Sequence, residues 1–253
     1  MSGSTQEDRT RYLTNDDVYK QLRNEILTLR IQPGETLSEN YVSDRFGISR
    51  TPVRAIFMRL SEDGLLELRG RKGTFASLID LDMAEQILFM RIQVELAAML
   101  FLARRPNRVI FRQLAHNLKV QQGLIDSNVD NFGWYRVDSA FHSLCMTHIR
   151  KQRLWKMIQD LDVHYARYRY LDYMATREEG VFQILRGEHV KLYECLMEGK
   201  QENLRHLLTA HLYGGFLRIG TRLTSEYQSF FTESSRTINE IILDVKTMLN
   251  ETK

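Results

Sequence analysis

The sequence predicts a mainly α protein: a small N-terminal winged helix-turn-helix followed by an all-α helical bundle. Three observations carry this. Long stretches repeat apolar residues with helical period. Only three prolines, Pro33, Pro52 and Pro106, interrupt 253 residues. Extended runs are confined to one place, "LLELR" and "TFASL" around "GRKG", the pattern of a short hairpin.

The elements follow in order. Residues 1–13 are polar and read as an arm. A first helix begins at Asp16 or Asp17 and places Val18, Leu22, Ile26 and Leu29 on one stripe. "IQPGE" is a turn. Ser38 is an N-cap for a short helix carrying Tyr41, Val42 and Phe46, and Gly47 suits its left-handed end. Thr51 is expected to cap the next helix, with Pro52 at its first position and Gly64 at its stop. The hairpin completes a winged domain over residues 14–78. The bundle occupies 82–222, with helices at 82–103, 107–126, 131–149, 152–173, 178–198 and 201–220. A C-terminal extension, 223–253, has helical period too, with Ile238, Ile242, Val245 and Leu249 on one face.

Composition bounds the function classes. With 43% hydrophobic and 26% charged residues the chain reads as an ordinary globular protein, and a net charge of +3 neither requires nor excludes nucleic acid. Cys145 and Cys195 stand apart, with no CxxC pair and no disulfide framework, which fits a reducing cytoplasm. No uninterrupted apolar run approaches ~18 residues and the N-terminus lacks an apolar signal core, so neither a membrane span nor export is expected.

Charge is concentrated in the winged domain. Arg45, Arg50, Arg54, Arg59, Arg69, Arg71 and Lys72 outweigh Glu62, Asp63 and Glu67 over the same stretch. The start of the second helix of a helix-turn-helix offers free N–H groups and a positive dipole end to phosphate. Arg50 and Arg54 flank that end four residues apart, and an arginine fork can take guanine O6 and N7 or a phosphate. Ser49 and Thr51 add hydroxyls. The tip "RGRKG", with Gly70, Arg71 and Lys72, can reach along the backbone or into a minor groove. The expected partner is double-stranded operator DNA.

These residues also carry a resemblance. "IQPGETLSENYVSDRFGISRTPVRAIFMRLSEDGLLELRGRKGTF" resembles the DNA-binding domain of GntR-family bacterial transcription regulators, through P-G-x-x-L-S-E, the core G-[IV]-S-R-T-P-V-R and the wing entry L-x-x-x-G-L. The resemblance implies that Arg50, Thr51 and Arg54 touch DNA, with Gly70 and Arg71 at the wing. One position departs. Where the family often has an arginine after the S-E pair, this chain has Asn40, so a contact there would be an amide contact and the operator would differ.

The bundle holds a second constellation. Asp138 and His142 are four residues apart on one helix, and His189 and His211 fall on two later ones. Imidazoles and a carboxylate meeting in a bundle core suit Zn²⁺, and also Ni²⁺, Mn²⁺ or Fe²⁺. A lone histidine is more often packed or at the surface, and His116, His148, His164 and His206 are read so. Residues about 82–220 resemble the FCD-type effector domain of the FadR subgroup of GntR regulators, through "LFMRIQVELAAML", "DSAFH" and "EHVKLYECLMEGKQENLRHLLTAHL". The resemblance implies that Asp138, His142, His189 and His211 hold a divalent metal, zinc first, and that the ligand is a small organic acid. Arg91 is the candidate clamp for its carboxylate, the alternative being an ion pair with Glu95. "HYARYRYLDY" could line a polar pocket, or face outward or toward a dimer partner, and the outward reading is favoured.

Together these readings describe a homodimeric, ligand-responsive transcription regulator, a repressor first, reading a short palindrome. Three rivals stand beside it, one of them a purely structural metal that holds three helices together. The metal itself could be the signal, or the bundle could be a metalloenzyme with an accessory DNA-binding head. No glutamate is placed as an obvious general base beside the histidines, which counts against the enzyme.

Overall fold

Thr14 opens the first helix. Its hydroxyl accepts the Asp17 N–H while the Asp17 carboxylate accepts the Thr14 N–H, a reciprocal cap that starts α1 (Asn15–Leu27) slightly ahead of the expected position. The computed structural model describes residues 13–233 and 238–251. The expected stripe of Val18, Leu22, Ile26 and Leu29 is buried. In α2 (Glu39–Phe46) the Ser38 hydroxyl accepts the Tyr41 N–H at 3.0 Å, and Gly47, at φ +64°, ends the helix.

The next helix, α3 (Arg50–Glu62), corrects the sequence reading. Ser49 is its N-cap, so Thr51 lies inside the first turn and Pro52 is the third helical residue. The first four N–H groups of a helix have no intrahelical acceptor, so a missing proline N–H is tolerated there as well as at the first position. Strands β1 (Leu66–Leu68) and β2 (Thr74–Ala76) pair antiparallel, Leu66 opposite Ala76, around a 3₁₀ turn at Gly70–Lys72. Leu22, Ile26, Val42, Val53, Phe57, Leu60 and Leu65 form one apolar core beneath these elements.

The second core belongs to the bundle: α4 (Leu81–Arg104), α5 (Arg108–Asp126), α6 (Asn131–His148), α7 (Gln152–Leu161), α8 (Val163–Thr176), α9 (Val181–Glu198) and α10 (Gln201–Ser225). α4 is the central helix, packed against α6, α8, α9 and α10. By length and hydropathy alone it could cross a membrane, but it carries the buried ion pair Arg91–Glu95 inside the bundle.

Two expectations fail here. The helix expected over 152–173 is two helices meeting at Asp162. α7 buries only Trp155 and Ile158, whereas α8 is buried on nearly every side and places Val163 in the head's core. A helical period continuing through ordinary residues hides such a change of direction. The aromatic–arginine run is also not outward-facing. Tyr165, Arg167, Tyr168, Arg169 and Tyr170 are all buried in α8. The C-terminal α11 (Ile238–Glu251) lies against α10, burying Ile238, Ile241 and Val245.

Candidate metal centre and nucleic-acid interface

α6 supplies Asp138 and His142, α9 supplies His189 and α10 supplies His211. Their ligand atoms lie within 4.8 Å of one another, and all four residues are buried. The three Nε2 atoms face each other: His142 to His211 at 3.1 Å, His189 to His211 at 3.2 Å and His189 to His142 at 3.3 Å. Asp138 Oδ1 stands 3.7 Å from His189 Nε2 and has no hydrogen-bond partner despite its burial.

What surrounds the rings fixes their tautomers. Glu95 Oε2 sits 2.6 Å from His142 Nδ1, and Glu188 Oε2 2.8 Å from His211 Nδ1. A carboxylate only accepts, so each Nδ1 carries the proton and each Nε2 presents a lone pair. His189 Nδ1 donates to Gln121 Oε1 at 3.1 Å, because the Gln121 amide N–H is engaged with Asn117 Oδ1. Burial holds the His189 and His142 pKa values below the ordinary range, so their imidazoles are neutral. Three inward lone pairs and an unpartnered carboxylate oxygen repel one another unless a cation lies among them. Zinc–nitrogen bonds of about 2.0–2.1 Å place tetrahedral ligands about 3.3–3.4 Å apart, close to the spacing found. The residues therefore fit a divalent metal.

Asp138 keeps its charge. Burial opposes it, but the Arg169 guanidinium beside it holds its carboxyl well below the usual range. Arg169 donates to Asp138 Oδ2 and to the Tyr173 hydroxyl. Both readings of Arg91 have a basis. Its Nε donates to Glu95 Oε1 at 2.6 Å, while its Nη2 is buried without a partner. Beside the centre, Asp138, His211, Tyr165, Tyr168, Arg169 and Arg218 help line a cavity of about 20 Å³, room for about one water. Sequence reasoning missed Glu188, Gln121 and Arg218, which lie far along the chain from their partners. The glutamates found beside the histidines accept from Nδ1 and so orient the rings.

The other predicted residues lie on the head. Ser49, Arg50, Thr51 and Arg54 cluster on the first turn of α3, all exposed, and the Ser49 hydroxyl makes no capping bond. Arg54 pairs with Glu39 at 2.8 Å in an exposed contact, an interaction of about 0–1 kcal/mol that a phosphate can replace. Asn40 is exposed on α2. Gly70, Arg71 and Lys72 form the exposed wing tip, and Gly70 adopts φ +49°. Arg50, Arg71 and Lys72 make no ion pair among the described residues. Arg45 is different. Its two Nη atoms bind Glu25, at 2.8 and 2.5 Å, so its fork is turned into the domain.

A cationic winged helix-turn-helix joined to a helical domain defines a class, the two-domain DNA-binding transcription regulator. The comparisons with known proteins agree. The chain matches the profile of the bacterial regulatory proteins of the gntR family over residues 14–76 and that of the FCD domain over residues 86–214. It is 31% identical over 205 residues to the HTH-type transcriptional repressor RspR of Escherichia coli (strain K12), covering 78% of this chain and 85% of that one. It is 29% identical over 222 residues to an HTH-type transcriptional regulator in an unstable DNA locus of Streptomyces ambofaciens, covering 88% and 91%. A GntR transcriptional regulator of Rhodococcus sp. RHA1 shares the fold at a TM-score of 0.65 and 21% identity, over 81% of this chain and 97% of that one. E. coli McbR/YncC does so at 0.60 and 19%, over 85% and 98%. The chain belongs to the GntR family of transcription regulators and carries an FCD domain. It is a DNA-binding regulator, not an enzyme.

Proposed function

We propose that the chain is a homodimeric repressor whose operator affinity is set by a divalent metal and a small carboxylate held in the bundle. Asp138, His142, His189 and His211 hold the metal, zinc first. When bound, the metal supplies an electrophilic centre able to take a carboxylate oxygen. Glu95, Gln121 and Glu188 keep the imidazole lone pairs aimed inward. Arg91, through its unpartnered Nη2, is the clamp for the acid. Ser49, Arg50, Thr51 and Arg54 meet the major groove and its phosphates, Asn40 makes an amide contact, and Gly70, Arg71 and Lys72 follow the backbone at the wing. Arg45 contributes charge nearby while remaining tied to Glu25. The free cysteines, both buried, suit a reducing cytoplasm.

The observation that carries this reading is the unpartnered Asp138 Oδ1 beside three inward Nε2 atoms. One further observation favours a second reading, in which the metal alone is the signal: the adjoining cavity of about 20 Å³ is too small for an organic acid unless the site opens. A duplex selected from a random pool by the purified protein separates the two. Its affinity is measured with the protein metal-free, zinc-loaded, and zinc-loaded with a panel of small carboxylates. A change that appears only with an acid supports the first reading, and a full change with zinc alone supports the second. Less than one tenth of a metal ion per chain after zinc loading and desalting sinks both.

A further inference from the structure

The linker between head and bundle, residues 77–80, is held from three directions. Ser77 donates its N–H to Leu65 O at 3.0 Å, inside the head. Its own carbonyl accepts Arg167 Nη1 at 2.6 Å, and the Leu78 carbonyl accepts Arg167 Nη2 at 3.2 Å. The Asp80 N–H is donated to His164 Nδ1 at 3.0 Å. Ile79 pairs with the C-terminal segment: its N–H reaches Phe230 O at 2.8 Å, and its carbonyl accepts the Thr232 N–H at 3.0 Å.

Arg167 is an unusual group to find there. It is fully buried, and it has no carboxylate partner among the described residues. Burial pulls its pKa down to about 10. A buried cation without a counterion is costly, and here the fork is spent on backbone carbonyls of the linker. His164 must be neutral to accept at Nδ1, and burial together with Arg167 lowers its pKa to about 4.

The C-terminal segment has its own anchor. In α11, Ile238, Ile241 and Val245 are buried, and Ile242 fills the space left by Gly220 of α10. A Cβ at Gly220 would come within 2.3 Å of Ile242 Cδ1. A glycine inside a helix costs about 1 kcal/mol relative to alanine, and here the missing side chain admits the approach. This segment lies beyond residue 214, where the FCD match ends.

We propose that the segment around Phe230–Thr232 and α11 act as a strap that, together with Arg167, locks the interdomain linker and so fixes the orientation of the DNA-binding head on the bundle. This does not depend on the identity of any effector. The strap acts through two main-chain hydrogen bonds to Ile79, and α11 holds them in place.

Spin-label distances test it. Nitroxides on the exposed positions Glu62→Cys, in the head, and Glu194→Cys, in the bundle, report the orientation of one domain on the other. Labelled chain is mixed with excess unlabelled chain so that intrachain pairs dominate. Three variants are added to this background. Thr232→Pro removes the N–H donated to Ile79, Arg167→Met removes the clamp, and Gly220→Leu displaces α11 without touching the linker. The unmodified linker is expected to give one narrow distance. Thr232→Pro and Gly220→Leu are each expected to widen it at least twofold while helical content is retained, and Arg167→Met to widen it similarly. A broad distribution in the unmodified protein overturns the proposal. So does an unchanged width in Gly220→Leu once hydrogen exchange confirms that α11 has been released, and that variant decides the matter if Thr232→Pro or Arg167→Met does not fold.

Discussion

Three imidazoles with lone pairs converging at 3.1–3.3 Å are held by groups that do not themselves face the centre. The Glu188 carboxylate accepts from His211 Nδ1 and keeps its Nε2 bare. Glu188→Gln can present its amide N–H to that nitrogen and favour the other tautomer. Its zinc affinity is expected to fall about 10–100-fold, read by competition with a chromophoric chelator. His189→Ala, which removes one of the proposed ligands outright, should lose more. Asp162 gives a prediction of another kind. Burial at the α7–α8 junction pushes its carboxyl up to about 7, against the pull of Arg91 and Arg169. The folded state then binds a proton more tightly than the unfolded chain, so this group's contribution to stability is complete below about pH 4 and declines as pH rises to about 7. Asp162→Asn should match the parent's melting temperature at pH 4 and increasingly exceed it toward pH 8. A constant difference across that range would show that Asp162 is not protonated in the fold. At this scale the sequence was half legible. Asp138 and His142 are one helical turn apart, a spacing that can be read directly. Gln121 and Glu188 meet their histidines only because α5, α9 and α10 pack together, and nothing local marks them.

Among the elements, the tight turn between α2 and α3 was the most legible, because its chemistry is local. Gly47 takes φ +64°, where a side chain meets the following carbonyl oxygen. Gly47→Ala should destabilise the head by about 1–2 kcal/mol, measured by denaturant unfolding. The start of α3 was misplaced by two residues, since Ser49, Thr51 and Pro52 are each acceptable near a helix start. α8 was the least legible element. Tyrosines and arginines in alternation look like an outer face, yet here the arginines find Asp138, Tyr173 and the linker carbonyls, so burial satisfies them. The same helix lines the cavity with Tyr168 and Arg169 and grips the linker with Arg167, one residue away. A shift of α8 would therefore be felt at the joint to the head. Arg167→Met is expected to preserve zinc binding while reducing any zinc- or acid-dependent change in DNA affinity, measured by fluorescence anisotropy.

At the scale of the whole molecule, a cationic reading head is joined to a buried centre through a locked linker. The two-domain plan was visible in the sequence, because the change from hairpin to unbroken helical period is abrupt near residue 80. The way the domains meet was not visible. It depends on Val163 entering the head's core and on Ile79 pairing with Phe231, both of which join distant stretches of chain. The claim on which the rest depends is that the head grips duplex DNA through the start of α3. The most direct measurement is the affinity of the Arg50→Glu/Arg54→Glu double variant for the duplex selected by the parent, taken across a salt series. Affinity is predicted to fall at least 100-fold at moderate salt, and the salt dependence to become shallower by about 0.9 in logarithmic slope for each phosphate that the variant no longer neutralises. An unchanged affinity and slope, in a variant that melts like the parent, would contradict it.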